Sequence, residues 1–383
     1  MRYYLIAGEA SGDLHGASLM KAIKQHDEDA QFRFFGGDLM QKEGGELVKH
    51  YADMAYMGFV EVVLNLKQIL SNLRSCKKDI LDWKPDLVVL IDFPGFNMKV
   101  AAYVHELQIP VYYYISPKVW AWNQKRVLKI KKVVDRMFCI LPFEVDFYKS
   151  WGMEVDYIGN PLLDAIKNYN FDPDFTTKQQ LDDRPVITLL PGSRKQEISR
   201  ILPDMIAAAE KFPEMQIVIA GAPTFSSQYY TQYMSGKDIP VIFNATYDLL
   251  KIAKAAVVTS GTATLETALF QVPQVVVYKG NPVSIGIARL LVKIKFISLV
   301  NLIMNKGIVK ELIQEDCNEK AIAMELKNLI YDTAYREKVM SAYDLLNKKM
   351  GSAGASERAA ALIMQYLKKE NEPRSGTHLF TGR

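Results

Sequence analysis

Short apolar runs rich in β-branched and aromatic residues punctuate the front of the chain at 2–7, 32–36, 86–92 ("DLVVLID"), 110–116 ("PVYYYIS"), 136–140 and 155–159. Each has the length and composition of a buried strand, and segments of helical period such as 97–108 and 123–134 lie between most of them. This alternation predicts a parallel sheet with helices on both faces. From 161 to 184 the chain turns polar and reads as a linker between domains. A second series of strands then follows at 186–190, 216–220, 240–243, 256–259 and 275–278, again alternating with helices. After about residue 318 the pattern is helical to Lys369.

The predicted fold class is therefore α/β: two doubly wound Rossmann-like domains facing a cleft, with C-terminal helices. Residues 1–164 form the first domain and 185–345 the second. A helix over 346–370 returns to the first domain, and 371–383 form a disordered tail. No repeat of 20–50 residues is present.

Composition narrows the function. The chain has 383 residues, enough for two cores, with 49% hydrophobic and 23% charged residues. No run reaches the roughly 18 apolar residues of a spanning helix, and the start, "RYYLIAG", is a strand rather than a leader, which predicts a cytoplasmic protein. Cys76, Cys139 and Cys317 lie far apart without metal-ligand spacing, as expected of buried thiols in a reducing compartment. A net charge of +4 gives no case for nucleic-acid binding, so any basic surface is local. G-x-x-x-x-G-K-[ST], H-E-x-x-H and G-x-S-x-G are absent, which removes support for a P-loop ATPase, a zinc hydrolase or a common serine hydrolase.

Four stretches at strand ends carry candidate chemistry. In "GEASGDLHGA" (8–17), Gly8 and Gly12 permit a sharp turn and close approach to a ligand, while Glu9 and Ser11 offer an acceptor and a donor for sugar hydroxyls. The competing reading is a helix cap built on Ser11 or Asp13, with His15 a packed helix residue. In "LIDFPGFN" (90–97), Asp92 stands at the tip of a buried strand, where partial desolvation suits a general base; otherwise it caps a helix beginning near Asn97.

"LPGSRKQEI" (190–198) brings free amides, Ser193 and Arg194 to a helix start, an anion site unless Arg194 is a solvated surface residue. The dipole there contributes about 0.3–2 kcal/mol. A positioned donor to charge developing in a transition state contributes about 2.7–4 kcal/mol, so Arg194 should matter more. In "VVTSGTATLETALFQVPQVVVY" (257–278), Ser260, Gly261 and Thr262 suit a diphosphate. Glu266 could grip ribose hydroxyls with both oxygens, or simply complement the helix dipole.

"GEASGD", "ID-P-FN", "SPKVWAW", "LPGSR--EI" and "SGTATLE", in this order over about residues 5–365, resemble the lipid-A-disaccharide synthase family, inverting glycosyltransferases of the two-Rossmann-domain (GT-B) type. The resemblance implies transfer of 2,3-diacylglucosamine from its UDP derivative to 2,3-diacylglucosamine 1-phosphate (lipid X), giving a β-1,6-linked disaccharide phosphate and UDP, with no metal or other cofactor. It implies that Asp92 is the base and that Ser193, Arg194, Ser260, Gly261 and Thr262 hold the diphosphate. Glu266 then takes the ribose, and Glu9, Ser11 and Asn301 the acceptor side. It leaves a homodimer open.

The sequence departs from that pattern twice. Gly95 replaces the acidic residue usual after the proline, so Asp92 is expected to stand alone, and Asn160 replaces a histidine. Rival readings are another UDP-sugar enzyme, an epimerase or a soluble-acceptor transferase, and a non-catalytic nucleotide- and membrane-binding protein.

Acylated substrates require access to a bilayer. "MGFVEVVLNLKQIL" (57–70), with Met57 and Phe59, is apolar on nearly every side. "SPKVWAWNQKRVLKIKKVVDR" (116–136) sets Trp120 and Trp122 beside Lys129, Lys132 and further basic residues, and "RLLVKIKF" (289–296) is similar. Basic groups near anionic lipid contribute about 1 kcal/mol each, and indoles favour the interface. Core packing or a solvated helix face would explain each segment separately. Together they suggest a protein held peripherally on the inner membrane.

Overall fold

A computed structural model describes residues 1–54, 66–280 and 295–371. Two compact units divide the chain: Met1–Asp164 with the described residues from Ser352 onward, and Ala165–Gly351.

In the first unit seven parallel strands lie in the order β3-β2-β1-β4-β5-β6-β7. They are β1 (Arg2–Ala7), β2 (Gln31–Gly36), β3 (Glu46–His50), β4 (Leu87–Ile91), β5 (Val111–Tyr114), β6 (Arg136–Cys139) and β7 (Asp156–Tyr157). Alternation along β1 sends Tyr3, Leu5 and Ala7 into one core and Tyr4 and Ile6 into the other, so both faces are covered. The buried tyrosines stay satisfied because their hydroxyls reach acceptors: Tyr3 donates to Asp27 and Tyr4 to Asp79, both at 2.8 Å.

The last described helix, Ala355–Asn371, adds Ala359, Ala360, Ile363 and Leu367 to the Tyr3 core. Asp164 caps its start by accepting from the amides of Gly354 and Ala355. Arg358 donates to the Ile158 carbonyl at 2.7 Å.

The second unit repeats the plan with six parallel strands in the order β10-β9-β8-β11-β12-β13. These are β8 (Val186–Leu190), β9 (Gln216–Gly221), β10 (Val241–Phe243), β11 (Ala253–Thr259), β12 (Gln274–Tyr278) and β13 (Lys310–Ile313).

Three local features differ from expectation. The strands β3 and β13 were not foreseen: both are polar edge strands, "ELVKH" and "KELI", without an apolar run. The stretch 161–184 is more than a linker, because it contains the helices Pro161–Lys167 and Phe175–Lys178 and buries Phe175 in the second unit's core. There the Tyr169 hydroxyl donates to Asp248 at 2.5 Å. The helix after β4 begins at Pro94, not near Asn97, since proline at a first helical position forfeits no hydrogen bond. Of the expected tail at 371–383, Asn371 ends the last helix and 372–383 lie outside the described residues, as do Met57, Phe59, most of 289–296 and the side chain of Trp122.

Candidate active site

Each sheet has one place where the strand order reverses, and loops following the flanking strands form a crevice there. In the first unit that place lies between β1 and β4, where Ala7 pairs with Ile91, so Gly8 and Asp92 leave the sheet side by side. In the second it lies between β8 and β11, where Leu190 pairs with Val258, bringing together the loops that carry Arg194 and Ser260. All four sequence-predicted stretches thus fall at switch points, two in each unit.

The first crevice is built around a strained turn. Asp92 and Phe93 have φ of 43° and 47°, a left-handed conformation that costs non-glycine residues about 1–3 kcal/mol each. Three hydrogen bonds hold it. The Asp92 carbonyl accepts from Asn97 Nδ2 at 2.8 Å and from the Tyr113 hydroxyl at 2.6 Å, while the Asp92 amide donates to the Tyr114 carbonyl at 3.3 Å. No side chain caps the helix Pro94–Glu106, so Asp92 is not its cap.

Burial raises the pKa of Asp92. The positive charge of Lys118 lowers it and the negative charge of Glu9 raises it further. Glu9, in the loop that follows β1, is thus a carboxylate whose charge reaches Asp92 from a neighbouring loop. Ser11 is exposed on the first turn of the helix that follows β1. Asp13 caps a neighbouring helix, Asp38–Lys42, accepting from the amides of Gly37, Leu39 and Met40. His15 is pushed down to about 4 by burial, so it is neutral at pH 7.

In the second unit Arg194 precedes the helix Lys195–Ala209. Its guanidinium contacts Glu197 Oε1 at 3.3 Å, and Glu197 Oε2 accepts from the Ser193 amide at 3.3 Å. The turn needs Gly192, whose φ is +96° and where a β-carbon would come within 2.5 Å of Glu197. Sequence reasoning gave Glu197 no role; its signal was a glutamate three residues after the helix N-cap, the spacing of a capping box.

Beyond β11, Ser260 Oγ is engaged with the Ile297 carbonyl at 3.0 Å. Gly261 caps the helix Thr262–Leu269, and both Gly261 and Thr262 are exposed. Glu266 accepts from the Tyr247 hydroxyl at 2.7 Å through Oε1, so a two-oxygen grip on ribose would have to share that atom. Burial raises the pKa of Glu266, and the Tyr247 bond opposes the shift.

Two expected site residues are structural. Asn301 is buried: its side chain donates to the Val309 carbonyl and Glu311 and accepts from the amides of Ile308 and Val309, leaving nothing for a substrate. Trp120 is only 8% exposed and faces no membrane. Its indole donates at 3.0 Å to Glu144, a buried carboxylate that also accepts from Ser116 and the Leu141 amide. Lys129 and Lys132 are exposed. Asn160 links two loops, donating to the Ile140 carbonyl at 3.0 Å and accepting from the Leu162 amide at 3.0 Å.

Two parallel α/β units, each with loops at its switch point, define a protein of the GT-B class. Solved structures share this fold at low identity. Neisseria meningitidis UDP-GlcNAc 2-epimerase bound to UDP-GlcNAc matches with a TM-score of 0.64 at 14% identity, covering 96% of this chain and 100% of that one. CalG4, the calicheamicin glycosyltransferase, matches with a TM-score of 0.60 at 17% identity, covering 97% and 100%.

Sequence comparison is more specific. The family described as Lipid-A-disaccharide synthetase matches residues 3–363. The lipid-A-disaccharide synthase of Syntrophus aciditrophicus is 40% identical over 375 residues, 96% of this chain and 98% of the relative. That of Trichlorobacter lovleyi is 37% identical over 379 residues, with the same coverage. The chain belongs to the lipid-A-disaccharide synthase family, and it is a glycosyltransferase.

Proposed function

We propose that the protein transfers 2,3-diacylglucosamine from UDP-2,3-diacylglucosamine to the 6-hydroxyl of lipid X, releasing UDP with inversion at the anomeric carbon. Asp92 is the base. Its carboxylate takes the proton of the acceptor hydroxyl as the new O–C bond forms, and the bond from the anomeric carbon to the diphosphate breaks on the opposite face. Arg194, Ser193 and the backbone around Gly261 and Thr262 receive the charge that develops on the leaving diphosphate. Glu266 binds the ribose, while Glu9 and Ser11 contact the acceptor.

One observation carries this reading: Asp92 is partly desolvated, raised in pKa and fixed by three backbone-directed hydrogen bonds at a switch-point crevice. Such a carboxylate gains proton affinity without losing access to a substrate.

The protein works at the cytoplasmic surface of the inner membrane. Among the described residues no helix is long and apolar enough to cross a bilayer, and a peripheral mode suits the exposed Lys125, Lys131 and Lys132 around an exposed Leu128. Purified protein mixed with UDP-2,3-diacylglucosamine and lipid X is expected to yield the tetraacyl disaccharide phosphate and UDP by mass spectrometry. If neither product forms, the assignment fails.

A further inference from the structure

Two cavities flank the first turns of the helix Pro94–Glu106, directly after Asp92. One, of 280 Å³, is lined mainly by apolar side chains, among them Met54, Leu66, Ile69, Leu73 and Phe96. The other, of 170 Å³, has Met98, Val119 and Ile130 at its walls and Lys99, Arg126 and Lys129 around it. Gly95 and Lys99 line both, and among the described residues no carboxylate lines either. A β-carbon on Gly95 would meet nothing within 4 Å, so the ridge between the cavities is open. Among the described residues, Lys99 and Lys129 have no ion-pair partner.

A concave site with three cationic side chains and a lipophilic neighbour fits a ligand bearing a phosphate on one side and an acyl chain on the other. We propose that Lys99, Arg126 and Lys129 bind the phosphomonoester of the acceptor glycolipid, while one of its acyl chains enters the apolar cavity across the Gly95 turn. This rests on the transferase reading above and assigns residues that reading leaves unused. Lys129 then serves the substrate rather than the bilayer. A membrane phospholipid headgroup offers similar phosphate chemistry, but a walled pocket at the start of the helix that follows Asp92 favours the acceptor.

The test compares wild type with the Lys99→Ala/Lys129→Ala double variant, first checked for an unchanged thermal melt. Two acceptors in detergent micelles are used: lipid X and 2,3-diacylglucosamine with a free 1-hydroxyl. The double variant is expected to lose roughly 10- to 100-fold of the preference for the phosphorylated acceptor, through KM, with the KM for the UDP-sugar unchanged.

Calorimetric binding of the two glycolipids without donor should show the same loss, and it tests the pocket even if wild type forms no disaccharide, an outcome that would count against the transferase reading alone. Leu73→Trp should reduce use of long-chain acceptors relative to short-chain ones. An unchanged phosphate preference overturns the proposal. So does an equal decline with both acceptors, or a loss confined to binding of phosphatidylglycerol vesicles.

Discussion

Gly8 and Phe93 are packed so closely that a β-carbon on Gly8 would lie 2.3 Å from the Phe93 ring. Phe93 is the second residue of the left-handed pair that presents Asp92, so the glycine of the first loop shapes the turn of the second.

Gly8→Ala must therefore displace the ring and the turn with it. Overpacking of this kind costs about 1–3 kcal/mol of stability. The larger effect is expected on turnover, because misplacing a reacting group by about 1 Å can cost roughly 100-fold. Thermal melts and initial rates on one preparation separate the two, and a variant with a normal kcat would contradict the coupling.

Burial, and after it the charges around Asp92, set the pH at which it becomes a base. Its pKa is raised, so activity should climb as pH rises through it and the carboxyl ionises. Glu9 contributes to that elevation and Lys118 opposes it. Glu9→Gln is expected to move the acidic limb of the kcat/KM profile to lower pH, and Lys118→Met to higher pH. Shifts in the same direction would rule out this electrostatic arrangement.

Glu144 predicts a pH effect on stability rather than rate. Burial holds its pKa up at about 7, against an ordinary 4.5, despite the bonds from Ser116, Leu141 and Trp120. The folded protein therefore keeps a proton that the unfolded chain releases above about pH 4.5, and stability falls as pH rises from there to about 7. The elevation corresponds to roughly 3 kcal/mol. Glu144→Gln should flatten this part of the stability profile, measured by denaturant unfolding between pH 4 and pH 8. A slope unchanged in the variant would assign the effect elsewhere.

Asn301 satisfies four partners around the chain reversal before β13. Asn301→Ala is expected to destabilise the protein by about 2–4 kcal/mol. The KM values of the remaining folded enzyme should stay normal; a selective rise in the acceptor KM would restore Asn301 to the substrate site.

What could be read from the sequence, and what could not, follows from the range of the interactions. Strand ends such as Ala7, Ile91, Leu190 and Thr259 were legible because the apolar runs stop at Gly8, Asp92, Pro191 and Ser260, and parallel α/β sheets present those ends to ligands. The burial of Asn301 and Trp120 was not legible, because neither a family motif nor residue type reveals it: one is satisfied by its own loop, the other by Glu144. The influence of Glu9 on Asp92 was hidden for a different reason. It depends on β1 lying beside β4, with Ala7 in register with Ile91, although more than eighty residues separate them.

Turnover of Asp92→Asn most directly tests the central role assigned to this site. Asparagine preserves size and backbone bonds but cannot accept the acceptor's proton, so disaccharide formation should fall by roughly 10²- to 10⁴-fold, with UDP binding unchanged by calorimetry. Disaccharide formation by Asp92→Asn at a near-wild-type rate would contradict the account.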